Sequence, residues 1–403
     1  MVAPLSGVRV LEVANWLAAP GAAALMADLG ADVIKVEPPG GEAYRYSVDR
    51  ALSTGMKLQT TYAFELDNRG KRSLTLDLAA SGSSEVLQKL VVGSDIFVTN
   101  LIPRRRKQFG VTEDELLKLN PRLVYASVSG YGTEGAEADR AGFDYAAFWA
   151  RSGIQSLMGE PNDAPPPCRG GQGDHTTALN LLAATLAALR MRDLTGEGQV
   201  VDVTLLATGI WTIATDMSGA LPTHTQPPKV ERAQPPNPLR NSYLCADGRW
   251  LMLVMAQPDR YWAALCKALG HPEWENDPRY DSLASRGRNS LEFTREMEAV
   301  FATATRAEWA LRLDHAGLIW APILELPDVI DDPTVQSLGV FSEIEHPGLG
   351  KIETVSTPFQ IRGADIRVRG RAPDPGAQTS DILAELGFSE DQVAELATSG
   401  AFG

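Results

Sequence analysis

Two short β-branched runs separated by one helix open the chain, and that arrangement constrains the fold more than any other feature. "GVRVLEVA" (7–14) reads as a strand, "PGAAALMADLG" (20–30) as a helix started by Pro20 and stopped by Gly30, and "ADVIKVE" (31–37) as a second strand. Strands joined through a helix lie parallel, because the crossover returns the chain to the same end of the sheet. Such a sheet has to be covered by helices. "KRSLTLDL" (71–78), a helix over 83–90, "DIFVTN" (95–100) and "LVYASVSGYG" (123–132) continue the alternation. The expected fold class is α/β, with a parallel sheet whose loops after Asn, Ser, Gly and Tyr gather on the rim where open sheets of this kind bind ligands.

At 403 residues and 44% hydrophobic, the chain can bury a large core and exceeds the usual size of one domain. The text "HTQPPKVERAQPPNPLRNSY" is too rich in proline for a helix or central strand. After it, "YLCADGRWLMLVMA" reads as a hairpin turning at Asp247-Gly248, with helices over 261–269 and 306–313. The expected organisation is a large domain over 1–224, a linker over 225–243 and a small α/β domain over 244–325. An irregular linker over 326–340 then leads to 341–403, where "IETVSTPFQI" and the closing helix "SDILAELGF" return to the large domain.

The 37 Lys and Arg against 51 Asp and Glu leave a formal charge of −14, so no global basic field exists to attract nucleic acid or anionic lipid. Three distant cysteines, with no C-x-x-C pair and no His at ligand spacing, suggest neither a disulfide framework nor a metal site. The N-terminus lacks the pattern of a signal peptide, and the apolar run from Leu181 meets Arg190 before reaching membrane-spanning length. These features fit a cytoplasmic protein.

The stretch "CRGGQGDHTTALNLLAATLAALRMRDLTGEGQ" (168–199) sets Asp174 behind glycines and ahead of a helix read over 176–191. A carboxylate there is either a helix cap or a nucleophile at the mouth of a site. Two basic clusters stand out, "NRGKRS" with Arg69, Lys71 and Arg72, and "PRRRKQFG" with Arg104, Arg105, Arg106 and Lys107. They are either solvated faces or cations for a ligand carrying several phosphates. Glu37 ends the second strand where a dinucleotide-binding protein holds a ribose, but "ANWLAAPG" replaces G-x-G-x-x-G, which weakens a dehydrogenase reading. His175 adjoins Asp174, and helix neighbours do not face each other. The other histidines sit near no Ser or Cys nucleophile pattern.

The segments "LSGVRVLEVANWLAAPGAAALMADLGADVIKVEPPGGEAYR", "NRGKRSLTLDL", "NPRLVYASVSGYG", "GFDYAAFWARSG", "GDHTTALNLLAATLAALRMRDLTGEGQVVDVTL" and "PTVQSLGVFSEIEHPGLG" resemble the family III coenzyme A transferases, the CaiB/BaiF-like proteins, in order from Leu5 to about Leu386. That family includes formyl-CoA and carnitine-CoA transferases and, on the same scaffold, α-methylacyl-CoA racemases. The resemblance implies a Rossmann-like large domain, an interlocked homodimer, acyl-CoA and a carboxylic acid as substrates, and no metal. It implies that Asp174 is the nucleophile, supported by Asp144, and that glycines 170, 171 and 173 let backbone amides approach a developing oxyanion.

Racemases of the fold carry a histidine and a glutamate where this chain reads Phe143 and Gln257, neither of which accepts a proton near neutral pH. A racemase and an acyl-CoA-binding protein without catalysis remain the alternatives. Arg69, Lys71, Arg72, Arg104 and Lys107 are the expected partners of the CoA phosphates, with Ala18 and Asn100 along the adenine and pantetheine path. Pro38 stands where some members have Arg, and Leu17 where members acting on very small dicarboxylates have Gln. Trp16, Leu17 and Phe143 would line a pocket for a bulkier, less polar acyl group, with Phe148 and Trp149 either beside them or in the core.

Overall fold

The computed structural model describes residues 1–47 and 61–402. They divide into two compact units. The first comprises Met1–Ser156, Pro167–Pro222 and Gly339–Gly403, and the second Leu157–Pro166 and Thr223–Leu338.

The first unit is built on six parallel strands: β1 (Arg9–Val13), β2 (Asp32–Glu37), β3 (Arg72–Thr75), β4 (Ile96–Thr99), β5 (Val124–Ser129) and β6 (Gln199–Thr204). Their order is β3-β2-β1-β4-β5-β6, that of a doubly wound nucleotide-binding sheet. Alternate side chains of β1 enter opposite layers: Val10 joins one core and Leu11 and Val13 the other. Helix α1 (Ala18–Asp28) is buried along its whole length. Its alanines allow it to fit so closely, and a helix apolar all round belongs in a core.

Between the strands lie α2 (Tyr62–Asn68), α3 (Ser83–Val92), α4 (Pro103–Phe109), α5 (Glu113–Leu119), α6 (Ile154–Leu157) and α7 (Gln172–Thr195), while α8 (Leu205–Thr212) and α9 (Ala214–Thr223) follow β6. A Cβ placed on Gly21 of α1 would lie 3.4 Å from Ala178 Cβ of α7, so small residues let the first helix and the long seventh one approach closely. The chain end completes the second core layer through Ile382, Leu383, Phe388 and Leu396. Strands β10 (Phe341–His346) and β11 (Gly350–Val355) form an antiparallel ribbon ahead of it.

The second unit carries a small antiparallel sheet of β7 (Ser242–Leu244), β8 (Trp250–Leu253) and β9 (Trp320–Pro322). Helices Pro258–Leu269, Ser290–Phe301 and Arg306–His315 pack on it around Trp262, Phe293, Phe301 and Trp309.

Three sequence expectations need correction here. Residues 157–166 group with the second unit, although the reading assigned them to the large domain. The proline-rich 225–243 stretch is more than a linker, because Leu239 and Tyr243 are fully buried in the second core. The 326–340 stretch contains two short helices, Leu326–Asp331 and Pro333–Ser337, each begun by a proline in its first turn.

Candidate active site

Helix α7 begins earlier than its sequence suggests. Gly171, at φ +88°, takes the position before the helix, and Gln172 starts it. Asp174 is therefore not the residue ahead of the helix but lies inside its first turn, half-buried, where the exposed amides and the dipole still favour a negative charge. A left-handed glycine reverses the chain more sharply than an Asp cap would.

Beside it stands Asp144, which is 4% exposed and begins a π-helical turn over Tyr145–Ala150. The Gly171 amide donates to its Oδ2 at 2.5 Å. Burial pushes the Asp144 carboxyl above its ordinary range, while the Gly171 and Gly173 amides pull the other way. The expected oxyanion donor at Gly171 is thus already engaged by a carboxylate. Gly173 is required sterically, since a Cβ there would fall 2.3 Å from both Asp144 Oδ1 and the Phe148 ring. The loop bearing Phe143 and Asp144 is pinned below β5 by Gly130 and Gly142, whose backbones touch. Burial and the charge of Asp144 push the Cys168 thiol up, toward the protonated form.

His175 pairs with Asp67, its Nε2 lying 3.0 Å from Asp67 Oδ1. Although burial opposes it, the hydrogen bond and charge of Asp67 raise the imidazole above its usual 6.5. A raised native value means that the pair contributes stability fully below about pH 6.5, and that this is lost as pH rises through the native value. The gap in urea midpoint between wild type and His175→Gln should accordingly be widest in mild acid and close on the alkaline side; a constant gap would contradict the pairing.

At the switch point of the sheet, the loops after β1 and β4 are stapled together. Asn100 Oδ1 accepts the Asn15 amide at 3.1 Å, and Asn100 Nδ2 donates to Asn15 O at 2.6 Å. The adjoining cleft has a volume of about 260 Å³ and is lined by Asn15, Pro38, Leu78, Leu101, Arg105 and Phe109, among others. Arg104, Arg105 and Lys107 of α4 are exposed, whereas Arg106 is 2% exposed and donates to Leu101 O. Ala18 is buried in the first turn of α1.

The "NRGKRS" cluster behaves differently from the sequence expectation. Arg69 is buried against Asp28 at 2.7 Å and Lys71 lies 2.6 Å from Glu12. These two neutralise internal carboxylates, so they offer little to a bound phosphate. Arg72 is only half-buried and bridges Asp32 and Glu385 nearer the surface. Glu37 is likewise occupied, by Arg45 and Ser73, which removes the ribose-binding role. Phe148 and Trp149 are buried core residues, and Gln257 lies in the second unit.

Beyond the expected residues, the structure reveals a buried ion network. Lys35 Nζ lies 2.7 Å from Glu12 Oε1 and 2.8 Å from Glu42 Oε1, with all three side chains at most 1% exposed. Burial lowers Lys35, but Glu12, Glu42 and Glu37 outweigh it and hold the ammonium above its usual range. Burial brings Lys71 down to about 8 despite Glu12. The visible signal was an opposite charge in the middle of each of two apolar strands, "RVLEV" and "DVIKVE", which register Glu12 directly against Lys35.

A parallel sheet in the doubly wound order with a carboxylate in the first turn of a long helix packed on it defines a class of α/β protein suited to acyl chemistry on a nucleotide-bearing carrier. The chain belongs to CoA-transferase family III, whose model matches residues 5–379. It is 30% identical to (R)-2-hydroxy-4-methylpentanoate CoA-transferase of Clostridioides difficile over 96% of this chain and 97% of the relative. Cinnamoyl-CoA:phenyllactate CoA-transferase of Clostridium sporogenes is 29% identical over 97% of this chain and 95% of its own. Among solved structures, a CAIB/BAIF family protein from Brucella suis superposes with a TM-score of 0.84 and 29% identity, covering 96% of this chain and 100% of that chain. The protein is thus a CoA-transferase and an enzyme acting on acyl-CoA. No helix among the described residues is long and apolar enough to cross a membrane.

Proposed function

We propose that the protein exchanges CoA between a donor acyl-CoA and an acceptor carboxylic acid through an anhydride on Asp174. The observation that carries this reading is the position of Asp174, half-buried in the first turn of α7 beside the Asp144–Gly171 corner. A carboxylate oxygen of Asp174 attacks the thioester carbonyl, the C–S bond breaks, and CoA leaves as thiolate. The acceptor carboxylate attacks the Asp174 carboxyl carbon and releases the donor acid, leaving a new anhydride. The thiolate then attacks the new acyl carbon and frees Asp174. One hard exchange becomes a series of easier ones.

In this reading the CoA nucleotide occupies the cleft between the loops after β1 and β4, with Arg104, Arg105 and Lys107 meeting its phosphates. Ala18 and Asn100 flank the path toward the thioester. Trp16, Leu17 and Phe143 face a bulky, weakly polar acyl group. Asp144 and Gly173 hold the α7 corner rather than react.

The test gives purified protein a panel of acyl-CoA donors with labelled free acids, alongside an α-methylacyl-CoA monitored for loss of its α-hydrogen. Label should enter the acyl-CoA pool. Exchange of the α-hydrogen without label transfer would point to a racemase, and CoA binding with neither reaction to a binding protein.

The protein is also proposed to be an interlocked homodimer. Met191, Leu194, Trp211 and Leu221, on α7 to α9, are 51%, 68%, 74% and 66% exposed, apolar side chains that a partner copy would cover. Sedimentation at twice the chain mass is the expected result; a stable monomer would refute it.

A further inference from the structure

Trp16 has a left-handed backbone, with φ +69°, a conformation that only three non-glycine residues share among the described ones. A bulky residue stays there only when its surroundings hold it. The restraint here is specific. The Trp16 amide donates to Glu42 Oε2 at 2.8 Å, and Glu42 is 2% exposed, with its other oxygen 2.8 Å from Lys35 Nζ. Lys35 also donates to Ala14 O at 3.0 Å, two residues before Trp16. One buried ion pair therefore fixes both sides of the bend between β1 and α1.

The bend determines where the indole goes. Its ring meets Phe143 edge to face at 5.7 Å and Tyr44 at 5.8 Å. Phe143 is 49% exposed and immediately precedes Asp144, whose carboxylate binds the start of α7. Leu17, next to Trp16, approaches the same corner: a Cβ on Gly171 would lie 3.2 Å from Leu17 Cδ2. A bulky residue at positive φ, its amide held by a buried carboxylate, is an arrangement for positioning.

We infer that Glu42 is a positioning residue for acyl selection: by holding the Trp16 amide it sets the indole against Phe143, and the two rings form a wall that prefers a flat aromatic acyl group to a short aliphatic one. The inference rests on the proposed acyl pocket, but it concerns binding and is testable without turnover. Aromatic acyl groups gain from such a wall because ring edges and faces pair favourably, whereas a methyl group covers little of it.

The test uses the Asp174→Asn protein, so that thioesters bind without reacting, and measures calorimetric Kd values for phenylacetyl-CoA and acetyl-CoA. The aromatic thioester should bind more tightly, and adding Glu42→Ala should reduce that ratio by about five-fold, the size of one ring–ring contact. Glu42→Gln keeps an oxygen to accept the Trp16 amide and should preserve the ratio within about two-fold, whereas a global structural defect would weaken both thioesters together. Should Glu42→Ala fail to fold, Trp16→Gly, which tolerates positive φ and lacks the ring, must lose the preference while Glu42→Gln retains it. An equal ratio in all variants, no aromatic preference at the outset, or no thioester binding would overturn the inference. Label transfer by the wild-type enzyme is scored separately, so failure of the catalytic reading and failure of the wall give different results.

Discussion

Replacing Asp174 by Asn is expected to lower CoA transfer at least about 10³-fold while leaving the fold intact, as removal of a covalent nucleophile typically does. The amide has nearly the shape of the carboxylate, and Asp174 is only half-buried, so the change should cost little stability. It keeps the helix start, which Gly171 and not Asp174 terminates. The readout is label exchange between a free acid and acyl-CoA, with thermal unfolding as the control. Anhydride chemistry makes a further demand: wild-type protein mixed with acyl-CoA and hydroxylamine should be trapped at Asp174, and the variant should not. Full activity in Asp174→Asn would remove the carboxylate from the mechanism.

Glu12→Ala should have the largest effect on stability, about 3–5 kcal/mol, because it deletes one partner of a fully buried ion cluster. Glu12 has Lys35 at 2.7 Å on one oxygen and Lys71 at 2.6 Å on the other, and all three side chains are completely buried. Lys35 would retain Glu42. Lys71 would keep only the neutral acceptors Pro20 O, Asp67 O and Asn68 Oδ1. Its burial already brings it to about 8, so without Glu12 it sheds its proton readily, and the deficit should narrow as the solution is made alkaline. Urea unfolding across pH measures both effects. Adding Lys71→Met should recover part of the loss, since an apolar replacement removes the stranded charge. An unfolding free energy within about 1 kcal/mol of wild type would mean that water reaches the cluster.

Residues with a local meaning were the legible ones. The β1-α1-β2 order was legible because its period changes from strand to helix and back within a few residues, although the helix begins at Ala18, two residues before the Pro20 that the reading took as its start. The Asp247-Gly248 hairpin was equally plain, and β7 and β8 pair across it. The start of α7 was misread because Gln172 and Gly173 look like loop residues; what makes Gly173 helical is Phe148 and Asp144 packed against it from another part of the chain. Lys71 and Arg69 looked like surface cations for the same reason. Their acidic partners, Glu12 and Asp28, lie 59 and 41 residues away, and no local pattern connects them.

Read alone, the chain already specified an alternating α/β architecture, an acidic molecule without a general basic field, and one aspartate set conspicuously at the head of an apolar helix. These follow from periodicity, charge and glycine placement, which act over a few residues. Which cations serve ligands and which neutralise buried carboxylates, which amides are free and which already hold Asp144, and why Trp16 bends as it does were all settled by the folded chain. Those answers depend on burial and on partners distant in sequence, and the energy of a charge or a hydrogen bond is set by the medium and neighbour it meets only after folding.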